Sequence, residues 1–238
     1  MNTSQAEAPI PLPQLATLGL QHVLVMYAGA IAVPLIIGRA LKLSPEQVQS
    51  NTARLQGVNS LQDLADCQFV IEAIVERLDV KQNLFGELEA IVAPNAVLAT
   101  NTSSLSVTAV AAKLKRPQRF VGYHFFNPVP LMKVVEVIPG LATADTVCQR
   151  LSAFVQAMGH QAVLAQDTPG FIVNRVLLPM LNEACFALGE GVATIRDIDT
   201  AVKLGLNHPM GPFTLADFIG LDTCLEICRV LFEGTGDP

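Results

Sequence analysis

His124 and Glu136 are the two residues of this sequence whose types and spacing best suit moving a proton. Each stands in an apolar run of strand character, Arg119 to Phe125 and Lys133 to Ile138, and the turn Asn127-Pro128-Val129-Pro130 separates them. Prolines break a strand, so the two runs are predicted to fold back on each other as an antiparallel hairpin. With the turn centred near Pro130, position 124 falls opposite position 136. Directly opposed side chains on such a pair have Cβ atoms ~4.5 to 5.5 Å apart. A carboxylate at that distance can hold one imidazole nitrogen, favour the protonated ring and leave the second nitrogen to take a proton from a hydroxyl. Spacing alone leaves another reading open, a half-buried histidine beside a structural carboxylate.

These side chains need a scaffold, and the preceding sequence supplies one. Gln68 to Ile71 reads as a short apolar strand, and Ala96 to Ala99 as another that runs into the polar turn Asn101-Thr102-Ser103-Ser104. Between them Val80, Leu84, Leu88 and Ile91 recur at helical spacing, with Asp79 as the expected N-cap and Pro94 just past the end. Strand, helix and strand in that order predict a βαβ unit, hence a parallel sheet with its ligand at the strand C-termini. Glu76, Lys81 and Asn101 fall just past those ends or in the next helical turn. A loop carboxylate, a surface lysine and a turn asparagine would explain them equally, and Ser103 could be no more than a cap for a helix over Leu105 to Leu114.

Further on, Ala144 to Met158 is an amphipathic helix stopped by Gly159, and Ala162 to Ala165 a final strand. Pro169-Gly170 opens a long helix over Phe171 to Leu188 with Asn174 in its first turn, Ile195 to Leu204 is another, and Pro209 to Phe213 leads into the next.

His124-Phe125-Phe126-Asn127-Pro128-Val129-Pro130, then Lys133-Val134-Val135-Glu136, then Asp167-Thr168-Pro169-Gly170-Phe171-Ile172-Val173-Asn174-Arg175 closely resemble the signatures of the NAD-dependent L-3-hydroxyacyl-CoA dehydrogenases. The resemblance covers about Asn51 to the end, and the spacing from Ser103 to His124, Glu136 and Asn174 is similar too. It implies oxidation of an L-3-hydroxyacyl-CoA to the 3-ketoacyl-CoA with NAD as hydride acceptor, as in β-oxidation of fatty acids, by a homodimer. By the same resemblance His124 is the base, Glu136 orients it, Ser103 and Asn174 position the substrate, and Glu76, Lys81 and Asn101 contact the nicotinamide ribose.

The expected fold class is therefore α/β: an incomplete Rossmann-like, doubly wound domain over residues 51–167, then a truncated helical substrate and dimerisation domain over 168–238. The family's opening strand, glycine-rich turn, helix and second strand have no counterpart here. No G-x-G-x-x-G follows a strand: after His22 to Met26 there is only Gly29, and Gly189-Glu190-Gly191 ends a helix. Backbone amides that approach a pyrophosphate need those glycines, so weak or absent activity is expected of this chain. Loss of the first strand would also bare the edge at Phe69 to Ile71.

Residues 1–50 have another character. No Asp, Glu, Lys or Arg occurs between Glu7 and Arg39, and Leu15 to Gly38 is long enough for a membrane span of ~20 residues. Leu18 to Ala30 and Pro34 to Gly38, within residues 10–49, resemble the first membrane helix of the uracil and xanthine permeases. An N-terminal hydrophobic helix is expected, a permease-like leader fused to the dehydrogenase-like part and tethering an otherwise cytoplasmic protein through residues 15–38, and a non-catalytic, membrane-associated or misfolded fusion product is the competing reading. The chain as a whole is apolar, with 51% hydrophobic and 15% charged residues, and its net charge of −6 argues against nucleic acid as a partner. Five scattered cysteines suit a reduced compartment, and Cys224 and Cys228, one helical turn apart, lack the further ligands that a metal needs.

Overall fold

The computed structural model describes residues 58–236 apart from 128 and 130. The expected hydrophobic helix, the permease-like stretch 10–49 and the apolar run 15–38 lie outside the described residues. Asn59–Phe126 and Met132–Pro238 group together by their contacts, and this unit carries a five-stranded sheet among the described residues.

Its strands, in spatial order, are β1 (Phe69–Glu72), β2 (Val97–Thr100), β3 (Phe120–Phe125), β4 (Val134–Pro139) and β5 (Gln161–Leu164). β1, β2 and β3 run parallel, β4 is antiparallel to β3, and β5 is parallel to β4. Helix α1 (Leu78–Ile91) connects β1 to β2, the short α2 (Val107–Ala111) precedes β3, and α3 (Asp145–Ala157) connects β4 to β5. Four helices follow: α4 (Val173–Gly189), α5 (Ile195–Gly205), α6 (Pro212–Ile219) and α7 (Leu221–Thr235). The βαβ unit and the hairpin expected from the sequence are both present. Among the described residues β1 is paired on one side only.

β2 is buried at all four positions and β3 at its first five. Strands covered on both faces read as continuous apolar runs, which is why alternation is weak in the sequence. The two-residue period still sorts the side chains. Val70, Leu98, Phe120 and Ile138, all even-numbered, share one core with Phe85 and Leu88 of α1 and Val107 of α2. Val97, Ala99, Val121, Tyr123, Val135 and Val137, all odd-numbered, share the other with Val147, Leu151 and Val155 of α3. Glu72, Thr100, His124 and Glu136 are even, so the polar side chains fall on the α1 and α2 face. Gly122 lets α2 come down on that face: a β-carbon there would stand 2.6 Å from Val107 Cγ2 and 2.9 Å from Ile138 Cβ.

Four local expectations are corrected. The buried stripe of α1 is Lys81, Phe85 and Leu88; of the expected Val80, Leu84, Leu88 and Ile91, Leu88 is buried and Leu84 packs half-buried against the core. Phe85 makes the difference, its ring packing edge-on against Phe120 with centroids 4.6 Å apart. The N-cap of α1 is Arg77, and Asp79 lies inside the first turn, where its carboxylate takes two hydrogen bonds from the Arg77 guanidinium at 2.7 and 3.2 Å. The helix expected over Leu105 to Leu114 shrinks to α2, capped by Ser106, whose Oγ accepts the Ala109 amide. Ser103 caps nothing, because the Thr102 hydroxyl accepts the Ser104 and Leu105 amides and holds a loop there instead.

Candidate active site

The register of the β3–β4 hairpin sets His124 directly opposite Glu136. His124 Nδ1 lies 2.7 Å from Glu136 Oε2, with the two side chains 5% and 0% exposed. A carboxylate only accepts, so the shared hydrogen sits on Nδ1, and Nε2 is the ring nitrogen with no partner among the described residues. The rings of Phe126 and Phe171 lie 4.6 and 5.7 Å from the imidazole. Tyr123, the neighbour in sequence, points to the opposite face, where burial pushes its phenol up to about 12.

Glu136 has a second engagement that nothing local in the sequence announces. Its Oε1 accepts the backbone N–H of Ile172 at 3.0 Å and of Val173 at 2.9 Å. These are donors at the start of α4 that have no partner within the helix. Asn174, the next residue, extends its Nδ2 toward the Ser103 carbonyl at a long 3.4 Å. The start of α4 thus meets both the hairpin carboxylate and the loop that follows β2.

That loop is organised by Glu76. Its Oε1 accepts the Thr102 hydroxyl, the Ser103 and Ser104 amides at 2.9 and 3.1 Å and the Ser104 hydroxyl at 3.2 Å. Burial opposes its charge, but the Thr102 hydroxyl, the Lys81 ammonium and the Ser103 amide outweigh burial and hold the carboxyl below its ordinary range. The Ser103 hydroxyl has no partner among the described residues. Asn101 closes the other side: its Oδ1 accepts the Phe125 amide at 2.9 Å, tying the end of β2 to the residue after His124.

Lys81 is not a surface lysine. It is fully buried, with Nζ 2.6 Å from Glu72 Oε1 and 3.2 Å from Glu76 Oε2. Glu72, the last residue of β1 and no candidate from the sequence, also accepts the Thr100 hydroxyl at 2.7 Å and the Ile74 amide at 2.6 Å. A signal for both existed: an acidic residue ends the apolar run Phe69-Val70-Ile71, and Lys81 stands four and seven residues before Phe85 and Leu88, on the buried face. Asp167 opens the Asp167-Thr168-Pro169-Gly170 segment. Its carboxylate accepts the Val107 and Thr108 amides at 2.8 and 2.7 Å and the Ser106 hydroxyl at 2.9 Å, anchoring α2. Among the described residues no group of histidine, cysteine or carboxylate side chains could hold a metal.

The seven residues singled out by the sequence therefore fall into one connected arrangement on one edge of the sheet. Lys81 reaches Glu76, Glu76 the Ser103 loop, Ser103 Asn174, and the helix start at Asn174 reaches Glu136 and His124, with Asn101 bracing the strand ends. What such an arrangement offers chemically is a base with a fixed tautomer, hydroxyl and amide groups near it, and acceptors at strand C-termini where a nucleotide would lie.

Comparison with known proteins gives the same direction. The 3-hydroxyacyl-CoA dehydrogenase NAD binding domain matches residues 37–168, and the 3-hydroxyacyl-CoA dehydrogenase C-terminal domain matches residues 170–238. The first match begins before the boundary near residue 51 seen in the motifs. The chain is 53% identical over 185 residues to a 3-hydroxybutyryl-CoA dehydrogenase of Bradyrhizobium diazoefficiens, covering 78% of this chain and 63% of that one. It is 50% identical over 196 residues to a probable 3-hydroxybutyryl-CoA dehydrogenase of Bacillus subtilis, covering 82% and 68%. It thus spans about two thirds of the length of these relatives. The crystal structure of the (S)-3-hydroxybutyryl-CoA dehydrogenase of Ralstonia eutropha superposes with a TM-score of 0.82 at 42% identity, covering 92% of this chain and 76% of that one. With two consecutive domain matches, and with the α/β sheet and helices of that crystal structure reproduced, this chain belongs to the 3-hydroxyacyl-CoA dehydrogenase family.

Proposed function

We propose that this chain serves the NAD-dependent oxidation of an L-3-hydroxyacyl-CoA to the corresponding 3-ketoacyl-CoA. The observation that carries the reading is the 2.7 Å bond between His124 Nδ1 and Glu136 Oε2. It leaves Nε2 to take the proton of the substrate's 3-hydroxyl, while Glu136 balances the imidazolium that forms. The Ser103 hydroxyl and the Asn174 amide hold the substrate oxygens against that base. The names of the relatives support a short acyl chain of the 3-hydroxybutyryl kind.

The residues present fit one end of NAD. Glu76, with a side chain 37% exposed at the C-terminal edge of the sheet, offers acceptor oxygens to a ribose, and the Asn101 amide nitrogen has no partner among the described residues. Lys81, being buried, acts through Glu76. For the pyrophosphate the sequence holds no G-x-G-x-x-G turn, so no residue is assigned to it. When bound, NAD supplies the hydride acceptor; the protein supplies the base and the alignment.

The reading includes a dinucleotide part over residues 51–167, a helical substrate and dimerisation part over 168–238, and a homodimer in a reduced cytoplasmic setting, in keeping with five free cysteines. A membrane tether through residues 15–38 rests on the apolar sequence there; no helix among the described residues is long and apolar enough to cross a membrane. Partition of the expressed protein between membrane and supernatant tests the tether, and sedimentation tests the dimer.

The central test is turnover. With 3-hydroxybutyryl-CoA and excess NAD, followed by nicotinamide absorbance, His124→Gln should lower kcat by ~10²- to 10⁴-fold, the usual contribution of a positioned general base, with unchanged circular dichroism. A His124→Gln protein that turns over as fast as the parent would refute the assignment.

A further inference from the structure

The geometry points to the Gly170-Phe171 turn as a positioning element for the base: it aims the first amides of α4 at Glu136 and so keeps the proton of the His124–Glu136 pair on Nδ1. What this does in turnover rests on the reading of His124 as base. The geometry itself, and the test below, stand apart from that reading.

Glu136 is fully buried and carries two kinds of donor, His124 Nδ1 on Oε2 and the Ile172 and Val173 amides on Oε1. For helix amides to converge on a strand side chain, the backbone must turn sharply between β5 and α4. It does so with two successive left-handed residues, Gly170 at φ +74° and Phe171 at φ +49°. Left-handed backbone crowds a β-carbon against the following carbonyl oxygen, so Phe171 keeps it against its own preference. Gly170 admits no β-carbon, which would stand 2.7 Å from Leu231 Cδ2 and 2.9 Å from the Arg175 amide nitrogen. Turned this way, Phe171 buries its ring to 6% exposure beside the imidazole.

The consequence is electrostatic. Only an ionised carboxylate accepts from Nδ1–H; a carboxylic acid in its place would donate to Nδ1 and put the ring's own hydrogen on Nε2. Two amides, backed by the positive end of the helix, hold the negative charge on Glu136 and leave the hydrogen on His124. Nε2 then presents its lone pair, the form that a base needs. Without the two amides the ring gains freedom to flip or to take its hydrogen on Nε2, the wrong nitrogen.

The test uses the whole ¹⁵N-labelled chain free of substrate and cofactor, read by long-range ¹H–¹⁵N spectra of the imidazoles. His124 is assigned among the four histidines by its disappearance in His124→Gln. Two variants both delete the Phe171 ring but differ in backbone preference: Phe171→Asn tolerates left-handed φ, whereas Phe171→Val, being β-branched, resists it. The parent should show the Nδ1–H tautomer alone. Phe171→Asn should keep it, and Phe171→Val should raise the Nε2–H share by at least about tenfold, the change expected from losing one of the two hydrogen bonds to a charged group. Asn and Val variants that behave alike would make the role one of ring packing and overturn the proposal, as would a parent with mixed tautomers. Should neither variant fold, deuterium exchange in the parent decides: Ile172 and Val173 amides protected by at least about tenfold over an unstructured chain support it, and unprotected amides overturn it. Equal turnover by the parent and His124→Gln would sink the dehydrogenase reading and leave this tautomer result untouched.

Discussion

Replacing Lys81 by methionine removes an ammonium from the buried side of α1 while keeping most of the side chain's volume. In the folded chain Nζ sits between Glu72 Oε1 at 2.6 Å and Glu76 Oε2 at 3.2 Å, and the side-chain exposures are 0% for Lys81, 1% for Glu72 and 37% for Glu76. The damage should fall on Glu72. Glu76 can take up water and keeps Thr102, Ser103 and Ser104, whereas Glu72 is left charged and out of reach of water. Breaking a buried pair from one side costs about 3–5 kcal/mol. Glu72 retains the Thr100 hydroxyl and the Ile74 amide, and hydrogen bonds to a charged group are worth ~1.5–3 kcal/mol each, so the low end, about 3 kcal/mol, is expected. Urea unfolding followed by circular dichroism reads this directly: at an m-value of ~2 kcal/mol/M the midpoint should fall by roughly 1.5 M. The fall should persist at about 1 M salt, because buried charges are poorly screened. Adding Glu72→Gln removes both charges, and the double variant should be about 3 kcal/mol less destabilised than the sum of the single ones. A Lys81→Met midpoint within ~0.3 M of the parent, or simple additivity, would mean that water reaches the pair and would refute the argument.

Other expectations follow from single contacts. Glu76 is held below its ordinary value of 4.5 in the fold, so between the folded and unfolded values the unfolded chain binds the extra proton. Its contribution to stability is therefore present above about pH 4.5 and lost as pH falls through the lower folded value; Glu76→Gln should flatten that part of the urea-midpoint profile against pH. Gly122→Ala forces a methyl against Val107 and Ile138 and should cost about 1–3 kcal/mol of unfolding free energy, part of it recovered by Val107→Ala. Asp199 in α5 accepts the Phe213 and Thr214 amides at the start of α6 at 2.8 and 3.0 Å; Asp199→Ala should lower thermal stability by ~1 kcal/mol, the ordinary worth of a cap.

The His124–Glu136 pair was legible before any coordinates, because an antiparallel hairpin is a matter of counting: once the turn is centred, every opposition is fixed and each residue's face follows from its parity. The strands, the βαβ unit and the long helices were legible for a similar reason, their periods being local. The roles of Glu72, Lys81 and Asp167 were not. Lys81 looks like any helix lysine until Phe85, rather than Val80, is known to face the core, and the Asp167 carboxylate meets amides about sixty residues away. The local pattern allows Ser103 as a cap; Ser106 and Asp167 take that place through a contact across the chain.

By itself, then, the sequence determined the periods, the turns and the opposition of two strands, all set by backbone geometry within a few residues. Only the tertiary structure decided which charges share a proton or an ammonium. Water is an equal partner for every polar group in the open chain, and the choice among distant partners exists only where packing has taken water away.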